Sequence, residues 1–158
     1  MRTNLEINGR KYEVDITPVT SLAELLREKL GLMGTKRGCD SGGCGMCTVV
    51  LDGKAVYSCM TPAWRAEARS VETVEGLEKD GKLNPLQEAF VKNSAAQCGY
   101  CTPGILMAAN ALLNSHRNPS EEDIRDALCG VICRCTGYLA YLESIREVAQ
   151  KSGRGHRS

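Results

Sequence analysis

Eight of the nine cysteines fall into two groups whose spacing could hold metal. In the first, Cys39, Cys44 and Cys47 stand as C-x4-C-x2-C, and Cys59 follows after a gap. Three thiolates converging from one short segment, with a lone fourth, is ligand spacing for a [2Fe-2S] core. Gly38, Gly42, Gly43 and Gly45 interleave with these cysteines, and glycine reaches the positive-φ conformations that turn backbone N–H groups toward sulfur. Such N–H···S bonds hold an anionic cluster and help set its potential. Four thiolates would also suit zinc, but zinc sites usually arrive as two short knuckles rather than as three ligands in one glycine-rich loop.

The second group is Cys98-Gly99-Tyr100-Cys101 with Cys133-Arg134-Cys135, again two close pairs and four thiolates. Cys101 immediately precedes Thr102-Pro103, read as a cap followed by proline at a helix start, so this pair sits at the positive end of a helix dipole, where thiolates are stabilised. If Thr136 to Tyr138 opens the last helix, the second pair is placed the same way, and Arg134 adds positive charge. A thioredoxin-like redox role for Cys98 and Cys101 needs a βαβ context that is missing. The ninth cysteine, Cys129, near a helix end, reads as a small buried apolar residue rather than a ligand.

The elements that must position these thiols form two halves. Leu5, Ile7, Tyr12, Val14 and Ile16 alternate around Asn8-Gly9, the signature of a type I′ hairpin. Ser21 caps a helix with Glu24 at the box position and Leu22, Leu25, Leu26 and Leu30 on one face, stopped by Gly31. Thr48–Leu51, Asp52-Gly53 and Ala55–Tyr57 give a second hairpin, and a ββαββ order is an α+β unit. Residues 71 to 82 turn polar and glycine-punctuated, the composition of a connector. Beyond them Asn84-Pro85-Leu86-Gln87 caps one helix, Ile105 to Leu113 continues a second from Thr102, Ser120-Glu121-Glu122-Asp123 opens a third, and a fourth spans about Leu139 to Gln150. The residues from Lys151 to Ser158 read as a disordered tail.

The chain has 158 residues, with 20 Lys+Arg against 19 Asp+Glu. That leaves no basic excess to neutralise phosphates, so nucleic acid is not the expected partner. No stretch approaches the 18 or so apolar residues of a membrane span. The odd cysteine count and a start without a long apolar run fit poorly with a secreted disulfide framework, so a reducing, cytoplasmic setting is expected. His116 and His156, read in a loop and in the tail, form no acid–base constellation with serine or carboxylates. The residues point to electron carriage rather than bond chemistry.

Thr35-Lys36-Arg37-Gly38-Cys39 through Gly43-Cys44-Gly45-Met46-Cys47-Thr48-Val49, then Gln97-Cys98-Gly99-Tyr100-Cys101-Thr102-Pro103-Gly104, then Cys133-Arg134-Cys135-Thr136-Gly137-Tyr138, resemble the small iron-sulfur subunit of molybdenum hydroxylases, the xanthine dehydrogenase family. The resemblance covers nearly the whole chain. It implies an α+β protein with a plant-type ferredoxin-like β-grasp domain over residues 1–76 and a four-helix [2Fe-2S]-binding domain over 77–158. It implies one cluster on Cys39, Cys44, Cys47 and Cys59, nearer FAD, and another on Cys98, Cys101, Cys133 and Cys135, nearer molybdenum. Gln97 and Cys135 would lie against the molybdopterin cofactor, in its cytosine dinucleotide form. The implied partners are a large molybdopterin-binding subunit and a medium FAD-binding subunit, assembled as a dimer of heterotrimers.

Three positions depart from the family pattern. Gly130-Val131-Ile132 stand where Gly-Asn-Leu is usual before Cys-Arg-Cys, putting a β-branched residue in a turn; Ser41 stands where an acidic or amide residue is common; and Met46 replaces a small alanine, most simply as packing. Two other readings predict different properties. A zinc-stabilised interaction module would be colourless and without acid-labile sulfide. A free-standing ferredoxin would have a hydrophilic surface on every side, against which the apolar run Ile105–Ala109 argues if it lies beside a cluster. The substrate is not readable from this chain.

Overall fold

The structure, a computed structural model, describes residues 1–154, so the expectation for His156 lies outside the described residues. Strands β1 (Arg2–Ile7) and β2 (Arg10–Asp15) form the first hairpin, with Asn8 at φ 53° and Gly9 at φ 74°. β3 (Thr48–Leu51) and β4 (Lys54–Tyr57) form the second, with Asp52 at φ 48° and Gly53 at φ 79°. Both turns have the two positive φ values of type I′.

A fifth strand, β5 (Ser70–Glu72), lies inside and just before the stretch read as a connector. It fills the centre of the sheet, whose order is β2-β1-β5-β3-β4, pairing parallel to β1 and antiparallel to β3. Only Val71 of its three residues is fully buried, so its composition carries no strand signal.

Helix α1 (Leu22–Glu24) continues as a π-turn from Leu25 to Lys29. Ser21 accepts from the Glu24 amide at 3.1 Å, the expected cap. Leu22, Leu25 and Leu26 are fully buried with Leu5, Ile7, Val49, Leu51 and Val71 in a core between helix and sheet.

Four helices follow: α2 (Pro85–Lys92), α3 (Thr102–Ser115), α4 (Glu121–Leu128) and α5 (Leu139–Arg154). Asn84 and Gln87 close a full capping box, as do Ser120 and Asp123. Removing the first cap by Asn84→Ala is expected to cost about 1 kcal/mol, read as a lower denaturant midpoint with iron content unchanged. The cap of α3 is Cys101, not Thr102, which is already helical. Helix α5 begins at Leu139, so Thr136–Tyr138 is a turn before it rather than its first residues.

Helix α5 also runs on through Lys151 to Arg154, part of the stretch read as tail, and Lys151 pairs with Glu147 at 2.7 Å. Lys151, Lys92 and the Asn93 amide hold the Glu147 carboxyl down to about 2. Glu147, which ties α5 to α2 through Lys92, therefore stays ionised at every pH near neutrality.

Strand β3 is buried on both faces. Val49 and Leu51 face the first core, while Val50 joins a second core with Phe90, Ile105, Met107, Ile124, Tyr141 and Ile145. The run Ile105–Ala109 is buried inside this second core, not displayed as a docking face. The two halves are thus packed through the sheet, with α3 lying on β3.

Candidate metal centre

The loop from Gly31 to Cys47 contains no regular helix or strand. Its entrance is anchored by Arg27, whose Nη1 donates to the carbonyls of Thr35 at 2.8 Å and Met33 at 3.3 Å. Glu75 adds a bond from the Gly34 amide at 2.7 Å. Its exit is anchored at Gly45, whose carbonyl accepts from the Thr48 amide and hydroxyl at 3.1 and 2.6 Å.

Of the four glycines interleaved with the cysteines, Gly42 and Gly45 adopt positive φ, at 76° and 67°. Gly38 serves differently: a side chain there would stand 2.7 Å from Met46 Sδ and 2.9 Å from Cys44 Sγ. Backbone amides do turn toward sulfur. The Ser41 N–H lies 3.4 Å from Cys39 Sγ and, with the Ser41 hydroxyl and Cys44, lowers that thiol to about 6. Burial pushes the Cys44 thiol up, opposed by the Met46 and Gly38 amides. Burial, with the Cys47 thiol, pushes Cys59 up to about 11, opposed by the Gly42 amide.

In the first set the thiols act on one another's ionisation: Cys44 lowers Cys39, while Cys39 raises Cys44, and Cys47 and Cys39 raise Cys59. In the second set Cys98 and Cys135 are 3.5 Å apart, and Cys133 disfavours the charged form of both Cys101 and Cys135. Among the described residues no three His, Cys, Asp or Glu converge tightly enough for a single ion. Thiols gathered as two pairs suit a two-metal core in which each metal takes two thiolates. Cys44, Cys47 and Cys101 are buried, Cys59 and Cys133 partly so, and Cys39, Cys98 and Cys135 are exposed. Each set therefore has a sheltered floor and an open edge.

Several residues tie down the second set through contacts that the sequence does not announce. Tyr141, fully buried, places its hydroxyl 3.5 Å from Cys101 Sγ and 3.3 Å from the Thr102 hydroxyl. Burial pushes the Cys101 thiol up to about 11, and the Tyr141 hydroxyl works against that rise. Burial also disfavours the Cys133 thiolate, but the Thr136 hydroxyl, 3.0 Å away, and the amides of Thr136 and Cys135 outweigh it and hold its pKa below the ordinary value. The Tyr138 hydroxyl accepts from the Cys133 amide at 2.7 Å and donates to the Val131 carbonyl at 3.0 Å. That resolves the departure at Gly130-Val131-Ile132: Val131 is buried in the core and its amide bonds Leu128 O, while Ile132 points half outward.

Cys129 is exposed, not buried as expected, because it caps α4 beyond the apolar face formed by Ile124 and Leu128; it lies in neither thiol set. Gln97 is exposed beside Cys98, on the same open edge as Cys135. Met46 packs against the helical core.

A five-stranded β-grasp sheet with a thiol-rich loop, packed on four helices that carry a second thiol set, defines a two-domain iron-sulfur protein. The family described as a 2Fe-2S iron-sulfur cluster binding domain matches residues 5–76, and the one described as a [2Fe-2S] binding domain matches 73–146. The nicotine 6-hydroxylase small subunit of Paenarthrobacter nicotinovorans is 45% identical over 95% of this chain and 90% of its own length. The xanthine dehydrogenase iron-sulfur-binding subunit of Escherichia coli O157:H7 is 45% identical over 88% of each. A chain of quinoline 2-oxidoreductase from Pseudomonas putida 86 superposes with a TM-score of 0.92 at 44% identity, covering 98% of this chain and 97% of that one. The chain belongs to the iron-sulfur small subunits of the molybdenum hydroxylases, the xanthine dehydrogenase family, and is an electron-transfer subunit of an oxidoreductase.

Proposed function

We propose that this chain carries electrons from a molybdopterin site in a large subunit to FAD in a medium subunit, entering at the Cys98/Cys135 edge and leaving at the Cys39 edge. Cys98, Cys101, Cys133 and Cys135 would hold one [2Fe-2S] cluster, and Cys39, Cys44, Cys47 and Cys59 the other; bound there, the clusters supply one-electron redox steps. Gln97 and Cys135, exposed on one edge, are the residues offered to the pterin, proposed in its cytosine dinucleotide form. The observation that carries the reading is that the two cysteine-bearing segments are joined backbone to backbone, the Ile132 amide donating to the Cys44 carbonyl at 2.9 Å.

The chain's own part is to hold the thiols, to supply N–H and O–H donors to them, and to keep the floors of both sets away from water. Domain limits at 1–76 and 77–158 follow from the reading, with β3 shared between both cores. Relatives of this architecture are named for nicotine, xanthine and quinoline, which supports a substrate chosen in the large subunit. A dimer of heterotrimers and a cytoplasmic setting complete the proposal.

Anaerobic iron and sulfide determination on the purified chain, with EPR after dithionite reduction, is the test. About four iron and four sulfide per chain, with two distinguishable signals, is the expected result for two [2Fe-2S] clusters. Zinc without labile sulfide overturns the reading.

A further inference from the structure

Between its two anchors the first thiol loop has little support from its own domain: residues 37 to 41 are all exposed, and their local ties are the Arg37–Asp40 ion pair and the long Ser41 N–H···S bond to Cys39. Two hydrogen bonds under 3 Å reach residues 37 to 44 from outside the loop, and both come from the other half of the chain. The Tyr100 hydroxyl donates to the Arg37 carbonyl at 2.7 Å, and the Ile132 amide donates to the Cys44 carbonyl at 2.9 Å. Arg37 and Cys44 bracket the Cys39–Cys44 pair.

The donors are equally specific in their placement. Tyr100 lies between Cys98 and Cys101, and Ile132 directly precedes Cys133, so each of the two segments of the second thiol site supplies one bond to the first loop. Tyr100 is itself 45% exposed, so burial of its ring does not account for its position. Its hydroxyl is the group with a defined partner.

We propose that Tyr100 is a positioning residue for the first thiol set, acting with the Ile132 amide so that the helical domain holds the Cys39–Cys44 segment in ligand geometry. Ordering of the Cys98–Cys101 and Cys133–Cys135 segments by their own cluster fixes these two donors, which makes retention of the first cluster depend on the second. The inference rests on the two-cluster reading above.

The test uses the full holo chain and the variant Tyr100→Phe, which removes one exposed hydroxyl and leaves the ring. Iron release to a ferrous chelator is followed under dithionite while the two EPR signals are monitored, the first set's signal being the one lost alone in Cys39→Ser. Release through local opening scales with the opening equilibrium, and one hydrogen bond is worth about a two- to tenfold change. The first set's signal is expected to decay about two- to tenfold faster in Tyr100→Phe, with a shifted line shape from the altered Arg37–Cys39 backbone, while the second set's signal decays at the wild-type rate. Unchanged decay of the first signal overturns the proposal, as does faster decay of the second alone, which would make Tyr100 a support of its own loop. Wild-type protein lacking labile sulfide would instead remove the two-cluster reading on which the proposal stands.

Discussion

Replacing Gly45 by alanine is expected to cost both thiol sets their metal and to destabilise the chain by about 3 kcal/mol or more. Two effects add. Gly45 has φ +67°, and a non-glycine residue held in that left-handed region costs about 1–2 kcal/mol. A Cβ at this position would also stand 1.9 Å from the Gly130 carbonyl oxygen and 2.8 Å from the Val131 Cα. These are backbone atoms that cannot rotate away, and forcing a methyl group into a filled site costs about 1–3 kcal/mol.

Nor can Gly45 itself retreat. Its carbonyl is held by Thr48, and on that side it lies against Gly104, where an added Cβ would meet Gly45 O at 2.8 Å. Three glycines from three segments therefore meet at the point where the two metal loops touch. Displacing Gly130 pulls on Ile132 and Cys133; displacing Gly45 pulls on Cys44 and Cys47. Gly43→Ala is the matched control, because a Cβ there meets only the Ser41 hydroxyl, at 4.0 Å, and it should change stability by less than about 0.5 kcal/mol. Iron per chain and denaturant midpoint for the two variants decide the matter. Gly45→Ala protein with wild-type iron would mean that the loops do not need this close approach.

The features legible in the sequence are those whose cause is local. Asn8-Gly9 and Asp52-Gly53 announce their turns because two adjacent positive φ values restrict residue choice. Asn84 and Gln87 announce α2 because a capping box closes within four residues. The cysteine sets are visible because three or two ligands to one core must come from one short segment.

What the sequence hides is made by closure of the chain on itself. Strand β5 has one buried side chain and exists because β1 and β3 offer it partners some sixty and twenty residues away in register. The Gly45–Gly130 contact looks, in either segment alone, like ordinary loop flexibility. Thr102 resembles a cap, but the turn of the Cys98–Cys101 segment carries the helix start back to Cys101, leaving the Thr102 hydroxyl for Tyr141. Cys129 misleads because its distance from Leu128 in sequence says nothing about which face the helix end presents.

Tyr138 belongs to the hidden class, and Tyr138→Phe is expected to release the second set while preserving the overall fold. Tyr138 has φ +69°, a conformation that a bulky residue keeps only when its surroundings determine it. Here the determinant is the hydroxyl, which bridges the Cys133 amide and the Val131 carbonyl at 2.7 and 3.0 Å. Val131 is 1% exposed, so its carbonyl has little access to water once the hydroxyl is gone. Leaving a buried donor or acceptor without its partner costs about 1–3 kcal/mol for each group, giving a loss of about 2–6 kcal/mol for the pair. Phenylalanine keeps the ring that packs on the helical core, so the loss is confined to the turn that carries Cys133 and Cys135. Iron should fall from about four per chain toward two, and the signal that vanishes should be the one that Cys133→Ser also removes. Thr136 still reaches Cys133 Sγ in the variant, so an intact second signal would show that this hydroxyl, rather than that of Tyr138, holds the turn.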